Sequence, residues 1–220
     1  MKVGILTLHR AINYGAVWQC WALKRICESL GHQVEVIDYN PFGHYTYKGF
    51  LRYRPDKALA YVRNFRFFNS FVDTMLNPTE HTESHEWMVE NPPGEEAYIV
   101  GSDTVWCNAV VGDLVNSYLL DFAPENVRKI SYAASVGGEV DSNKNMFRKY
   151  LPTFHAVSVR EPMYLKELSE WARQEVVDVC DPTLLLCRED YKNVEIKKIS
   201  RNIIFLFLIL LEILLYKKRL

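Results

Sequence analysis

The sequence contains 220 residues, 49% of them hydrophobic, and carries a formal net charge of −1. That length suits one globular domain, or one and a fraction. A near-neutral chain has no overall field that attracts nucleic acid or an anionic membrane. Composition therefore argues against a protein that binds either partner through its net charge.

The cysteine spacing and the first ten residues both indicate a cytoplasmic protein. The five cysteines form no CxxC pair and are odd in number, which is typical of reduced thiols rather than of a disulfide framework. The opening stretch MKVGILTLHR becomes polar too early for a signal peptide and favours a first buried strand instead.

The first forty residues predict a strand, a helix and a second strand. The apolar run KVGILTL is the first strand, and the alternating stretch QVEVIDY is the second. Between them, apolar residues recur in steps of four and three, which predicts a helix that ends before Gly31. These stripe residues are Ala16, Cys20, Leu23, Cys27 and Leu30. Such a βαβ unit is almost always right-handed and parallel.

A helical insertion is expected at about residues 42–93, with a helix after Pro55. Its segment Lys48–Arg66 interleaves basic and aromatic side chains. That pattern fits a helical subdomain with snorkelling cations, a lid over an acceptor, or a surface for single-stranded nucleic acid. The near-neutral charge of the chain disfavours nucleic acid.

Four more strands are predicted after the insertion, at AYIV, KISYAAS, AVSVRE and EVVDVC, with helices at 142–151 and 162–173. The alternation predicts an α/β, Rossmann-like parallel sheet over residues 1–194. Polar residues gather where these strands end. Ligands bind at the carboxyl ends of such strands, so these positions are the candidate site.

The turn after the first strand supplies the first candidate residues, which are His9, Arg10, Asn13, Tyr14 and Gly15. In a binding site, Arg10 or the amides of Gly15 and Ala16 would hold an anion or a sugar. In a structural loop, Asn13 would cap the helix and Gly15 would relieve a tight turn.

The later strand ends supply Ser102, Asp103 and Arg160, with Trp106 close by. Ser102 and Asp103 could hold sugar hydroxyl groups while Trp106 stacks on the ring, or they form a turn beside a core tryptophan. Arg160 could bind a phosphate, or it forms an ion pair with neighbours such as Glu161.

Two tryptophans, Trp18 and Trp21, lie off the apolar stripe of the first helix. They either pack against a neighbouring helix or mark a surface for a partner chain, such as a second copy of this one.

Five stretches occur together in an order and spacing that resemble the polysaccharide pyruvyl transferase family from Met1 to about Leu186. They are ILTLHRAINYGAVWQCWALK, YIVGSDTVW, FAPENVRKISYAAS, SVRE and DPTLLL. The resemblance implies the N-terminal half of a glycosyltransferase-B-like fold. It also implies transfer of pyruvate as a ketal from phosphoenolpyruvate to a saccharide acceptor in cell-surface polysaccharide synthesis.

Phosphoenolpyruvate acts as co-substrate in this chemistry, no redox cofactor is required, and nothing in the sequence demands a metal. The phosphate and carboxylate suit arginine forks and helix N-termini. Two alternatives stay open: a non-catalytic interaction module, or an unrelated nucleotide binder. The second is weakened because the turn HRAINYG is neither GxGxxG nor a P-loop.

After about Val194 the composition changes to an aberrant apolar tail, residues 195–220. We expect that tail to result from a shifted reading frame, with the family's second domain missing and little activity left in this chain. Its apolar run 203–216 is shorter than the roughly 20 residues that span a bilayer. Contact with the inner membrane surface, or packing as a helix, are the other interpretations.

Overall fold

The structure is a computed structural model that describes residues 1–42, 55–192 and 194. The chain forms two compact units, residues 1–185 and 186–220. The first part of the basic, aromatic segment, residues 48–54, lies outside the described residues, and so does the apolar tail 195–220.

Six parallel strands form one sheet in the order β2-β1-β3-β4-β5-β6. The strands are β1 (Lys2–Leu6), β2 (Gln33–Val36), β3 (Ala97–Val100), β4 (Arg128–Ala134), β5 (Ala156–Val159) and β6 (Val176–Asp178). The predicted Rossmann-like parallel sheet is confirmed. Because the strand order reverses between β1 and β3, the carboxyl ends of these two strands border the topological switch point, where open α/β sheets bind ligands.

Eight α-helices are described. They are α1 (Tyr14–Ser29), α2 (Pro55–Phe71), α3 (His85–Glu90), α4 (Asn108–Val111), α5 (Val115–Tyr118), α6 (Lys144–Tyr150), α7 (Leu165–Ala172) and α8 (Arg188–Lys192). Helix α2 continues into a π-helical turn, Val72–Leu76. Helix α8 belongs to the second unit, and all the other elements belong to the first.

Helix α1 forms where the apolar spacing predicts it. Asn13 caps its first turn, and Gly31 follows its last turn with a φ of +85°, a left-handed conformation that glycine adopts without a Cβ clash. The stripe residues from Ala16 to Cys27 are buried, but the predicted end of the stripe is wrong. Leu30 is the C-cap residue and is 69% exposed, because the helix ends there and the chain turns into β2.

Aromatic side chains fill much of the core. Trp106 packs edge-on against Phe147 at 5.6 Å, and Phe147 stacks on Trp171 at 6.2 Å. On the other side of α1, Trp18 contacts Trp21 and also Phe71 of α2. Trp18 therefore packs against a neighbouring helix, as one of the two interpretations predicts, while Trp21 packs against Trp18 of the same helix.

Within the described ranges, no helix is long and apolar enough to cross a bilayer.

Candidate functional site

One hydrogen-bond network along the carboxyl edge of the sheet connects four of the nine predicted site residues. The network runs through Arg10, Asp38, His9, Thr7, Gln19, Ser102, Asp181 and Arg160. It crosses the switch point between β1 and β3 and reaches the loops after β2, β5 and β6. The edge that the sequence predicts therefore brings together Arg10, Ser102 and Arg160.

His9 is fully buried and both of its ring nitrogens face oxygen acceptors. Nε2 lies 3.1 Å from Asp38 Oδ1, and Nδ1 lies 3.1 Å from the carbonyl oxygen of Thr7. His9 therefore joins the ends of β1 and β2 and lies away from the surface.

Arg10 uses four of its five N–H donors on the protein. Its Nε donates to Asp38 Oδ1 at 2.9 Å, and one terminal nitrogen donates to Asp38 Oδ2. The other terminal nitrogen donates to Asn69 Oδ1 at 2.6 Å and to Asp73 Oδ1 at 3.1 Å. These two partners lie in α2 and the π-helical turn, so Arg10 attaches the insertion to the sheet.

Asp38 is the carboxylate on which this part of the network depends. It follows β2 and is 2% exposed. Burial by itself would raise its pKa, but the hydrogen bonds from Arg10 and His9 outweigh that effect and hold the pKa well below its usual range. Asp38 is therefore a buried anion with compensating donors around it.

Asn13, Tyr14 and Gly15 form the exposed start of α1. Asn13 Oδ1 accepts from the amide of Gly15 at 2.8 Å, which is the N-cap that the structural interpretation of this loop predicts. Tyr14 packs against Phe68 of α2 with 4.8 Å between the ring centres. One of the two amides predicted to hold an anion is thus occupied by the cap.

Gln19 connects the two loops at the switch point. Its Nε2 donates to Thr7 Oγ1 at 2.8 Å, and its Oε1 accepts from the amide of Ser102 at 2.8 Å. All three residues are buried. The loops after β1 and β3 are therefore held at a fixed separation by one side-chain amide.

Ser102 and Arg160 meet at Asp181. Ser102 Oγ lies 3.3 Å from Asp181 Oδ2, and Arg160 donates to the same oxygen at 3.2 Å. The Arg160 side chain is 36% exposed, against 13% for that of Arg10. Arg160 is accordingly the network arginine that is more accessible to a ligand.

Asp103 follows Ser102 with a left-handed φ of 57° and is half-buried. Its carboxylate makes no hydrogen bond or ion pair within the described part of the chain, while its carbonyl oxygen accepts from the amide of Ser135 at 3.0 Å. The backbone is therefore fixed while the carboxylate keeps its capacity to accept hydrogen bonds.

Two neighbouring side chains have structural positions. Trp106 is 1% exposed and donates from Nε1 to the carbonyl oxygen of Tyr118 at 2.9 Å, so it is a core tryptophan and presents no ring face to solvent. Glu161 accepts hydrogen bonds from Ser135 Oγ and from the amide of Val136. Trp106 is therefore the core tryptophan of the second interpretation and does not stack on a sugar ring.

Tyr132, on β4, lies beside the Asp181 end of the network. Burial raises its pKa to about 12, and Cys180 and Asp181 add to the shift. The phenol therefore stays protonated at neutral pH and can act as a hydrogen-bond donor at this edge. Across residues 1–42, 55–192 and 194, no group of three or more His, Cys, Asp or Glu side chains is placed to hold a metal ion.

Sequence patterns do not single out the other four members of the network. Thr7 and Asp38 lie in the predicted strands KVGILTL and QVEVIDY, Gln19 lies in the first predicted helix, and Asp181 lies in the stretch DPTLLL. The polar end of QVEVIDY could have pointed to Asp38 by the same strand-end rule that found Ser102. Gln19 carries no such signal, since a single polar residue in a helix usually faces solvent.

Comparison with known proteins assigns the family. No curated protein and no solved structure matches the chain. The model of one protein family, described as polysaccharide pyruvyl transferase, matches residues 13–219. That segment contains Ser102, Asp103 and Arg160, and it begins three residues after Arg10. Since the match covers nearly the whole sequence, the chain belongs to the polysaccharide pyruvyl transferase family.

Proposed function

We propose that this protein binds phosphoenolpyruvate and transfers its three-carbon unit to a saccharide as a pyruvate ketal, in the synthesis of a cell-surface polysaccharide. The family match over residues 13–219 is the observation that carries the proposal. Two hydroxyl oxygens of the sugar bond to C2 of the enolpyruvyl group, and the C–O bond to phosphate breaks. One hydroxyl proton goes to C3 and the other to the leaving phosphate.

The distribution of charge supports Arg160 as the contact for the anionic donor. Arg160 has an accessible guanidinium that pairs with Asp181 at 3.2 Å and lies 4.0 Å from the carboxylate of Glu161. Four N–H groups of Arg10 already donate to protein acceptors, so the proposed role of Arg10 is to position the loop after β1. A guanidinium matches the paired oxygens of a phosphate or carboxylate, which is the recognition this donor needs.

Asp103 is the proposed contact for the sugar hydroxyl groups that react, and Ser102, which is fully buried beside it, is proposed to position the loop. They follow β3 at the switch point, and Ser102 shares Asp181 with Arg160. The Asp103 carboxylate can accept a proton or a hydrogen bond from a hydroxyl group. Phosphoenolpyruvate is the proposed co-substrate. No redox cofactor is proposed, because the transfer involves no net oxidation or reduction.

Calorimetric titration with phosphoenolpyruvate tests the proposal on the chain itself. Arg160→Gln should weaken binding by about tenfold or more, because it removes a charge-assisted pair of hydrogen bonds. Arg128→Gln is the matched control, since Arg128 is exposed and begins β4 at the opposite edge of the sheet. Failure of the wild-type chain to bind, or equal losses in the two variants, would contradict the proposal.

Activity is measured separately, as release of phosphate in the presence of a saccharide. Rapid release together with a ketal methyl signal in the proton spectrum would support the reaction.

A further inference from the structure

A separate cleft of about 420 Å³ lies between the segments that follow β3 and β4. Residues 108–115 form one wall and residues 141–146 form the other. The volume falls within the range of about 300–1,000 Å³ that is usual for small-molecule sites. Since both walls follow the carboxyl ends of their strands, the cleft belongs to the same edge as the network but shares none of its residues.

The two walls are attached to each other by a buried side chain. Asn143 is 5% exposed, and its Nδ2 donates to the carbonyl oxygen of Trp106 at 3.0 Å. Trp106 in turn is part of the aromatic core with Phe147. The cleft is therefore formed before any ligand arrives, which lowers the entropy cost of binding.

The lining combines several hydrogen-bonding side chains with two apolar ones, Val115 and Met146. The polar lining residues include the carboxamides Asn108 and Asn145, the hydroxyl residue Ser142 and the carboxylates Asp113 and Asp141. Carboxamides, hydroxyls and carboxylates together both donate to and accept from sugar hydroxyl groups. This composition fits a ligand with many hydroxyl groups.

The charge of the lining argues against an anionic ligand. Asp113 and Asp141 contribute two negative charges, while Lys144 is the one cation in the lining and lies 3.7 Å from Asp141. The cleft therefore has a net charge of about −1 and would repel phosphoenolpyruvate or a nucleotide phosphate. An uncharged saccharide meets no such repulsion.

We propose that this cleft binds a non-reacting, uncharged sugar unit of the saccharide acceptor, in addition to the reacting unit proposed for Asp103. The inference rests on the proposed function, which supplies the reason for a saccharide. It extends the acceptor site: the anionic donor binds at Arg160, the reacting sugar unit binds at Asp103, and a second, non-reacting unit binds in the cleft that Asn108 and Asn145 line.

Titrations of the full chain with maltose, cellobiose and lactose, followed by amide chemical shifts, test the proposal. At least one disaccharide should bind below about 50 mM and shift the amides of residues 108–115 and 141–146. Asn108→Ala combined with Asn145→Ala should weaken binding by about tenfold. Ser142→Trp places a large side chain in the cleft from an exposed position and should abolish saccharide binding.

Asn126→Ala is the matched control, since Asn126 is exposed and lies outside the cleft. Absence of binding by all three sugars, shifts confined to other residues, or equal affinity in the double variant and the control would overturn the proposal. Saccharide binding without phosphoenolpyruvate binding would support the proposed cleft and contradict the proposed function. Phosphoenolpyruvate binding without saccharide binding would support the proposed function and contradict the proposed cleft.

Discussion

Arg10 and Asp38 form a two-point ion pair at the carboxyl edge of the sheet. Arg10 donates from Nε to Asp38 Oδ1 at 2.9 Å, and a second Arg10 nitrogen donates to Oδ2. Asp38 Oδ1 also lies 3.1 Å from His9 Nε2, and Arg10 continues to Asn69 and Asp73. One pair therefore joins two strand ends and the helical insertion, and its loss should affect all three.

Replacing Arg10 with alanine should lower the free energy of unfolding by about 3–4 kcal/mol. The variant leaves Asp38 buried without its main cation, and breaking one side of a buried pair costs more than the pair contributes. Urea denaturation measures the loss. Arg25→Ala is the control, because Arg25 pairs with Glu28 on the exposed face of α1 and should change stability by under about 1 kcal/mol. Similar losses of unfolding free energy in both variants would contradict the stabilising role of the buried Arg10–Asp38 pair.

The same pair should make the protein sensitive to acid. The pKa of Asp38 in the folded state lies below its unfolded value of about 3.9. Its contribution is fully present above that unfolded value and is lost as the pH falls toward the folded pKa. Free energies of unfolding from about pH 6 to about pH 3 should therefore decline less steeply in Asp38→Asn than in the wild type. Parallel slopes would show that another group causes the decline.

Gln19→Ala should loosen the switch point and cost about 2 kcal/mol. The variant leaves the buried amide of Ser102 and the hydroxyl of Thr7 without the partners that now lie at 2.8 Å. Hydrogen exchange should show a faster Ser102 amide together with the lower stability. Gln33→Ala, at an exposed position at the start of β2, is the control. An unchanged exchange rate at Ser102 would contradict the bridging role.

Periodicity and strand-end polarity predicted most of the fold and the position of the site. The stripe from Ala16 to Cys27 determines the buried face of α1, because a period of 3.6 residues can be read from the chain alone. The same rules missed α4 and α5, which have four residues each and are too short to show a period.

The connections within the site could not be predicted, because they join residues that are distant in the chain. Asp181 reaches Ser102 across 79 positions, and Gln19 reaches Ser102 across 83. Local pattern shows that a residue is polar but not which partner it meets. Arg10 illustrates the consequence: its location at the edge was predicted, while its four protein acceptors became visible only in the structure.

Gly101→Ala should be among the most destabilising single substitutions near the switch point. Gly101 ends β3 with a φ of 127°, and a Cβ at this position would lie 2.1 Å from the carbonyl oxygen of Tyr132 on β4. Both the backbone conformation and the contact exclude a side chain, so we expect a loss of about 3 kcal/mol or more in the free energy of unfolding. Gly94→Ala is the matched control, since a Cβ there meets no atom within 4 Å and the residue has no left-handed φ. Thermal and urea denaturation of the two variants give the comparison, and a Gly101 variant as stable as the Gly94 variant would show that β3 and β4 are not so closely packed at the site.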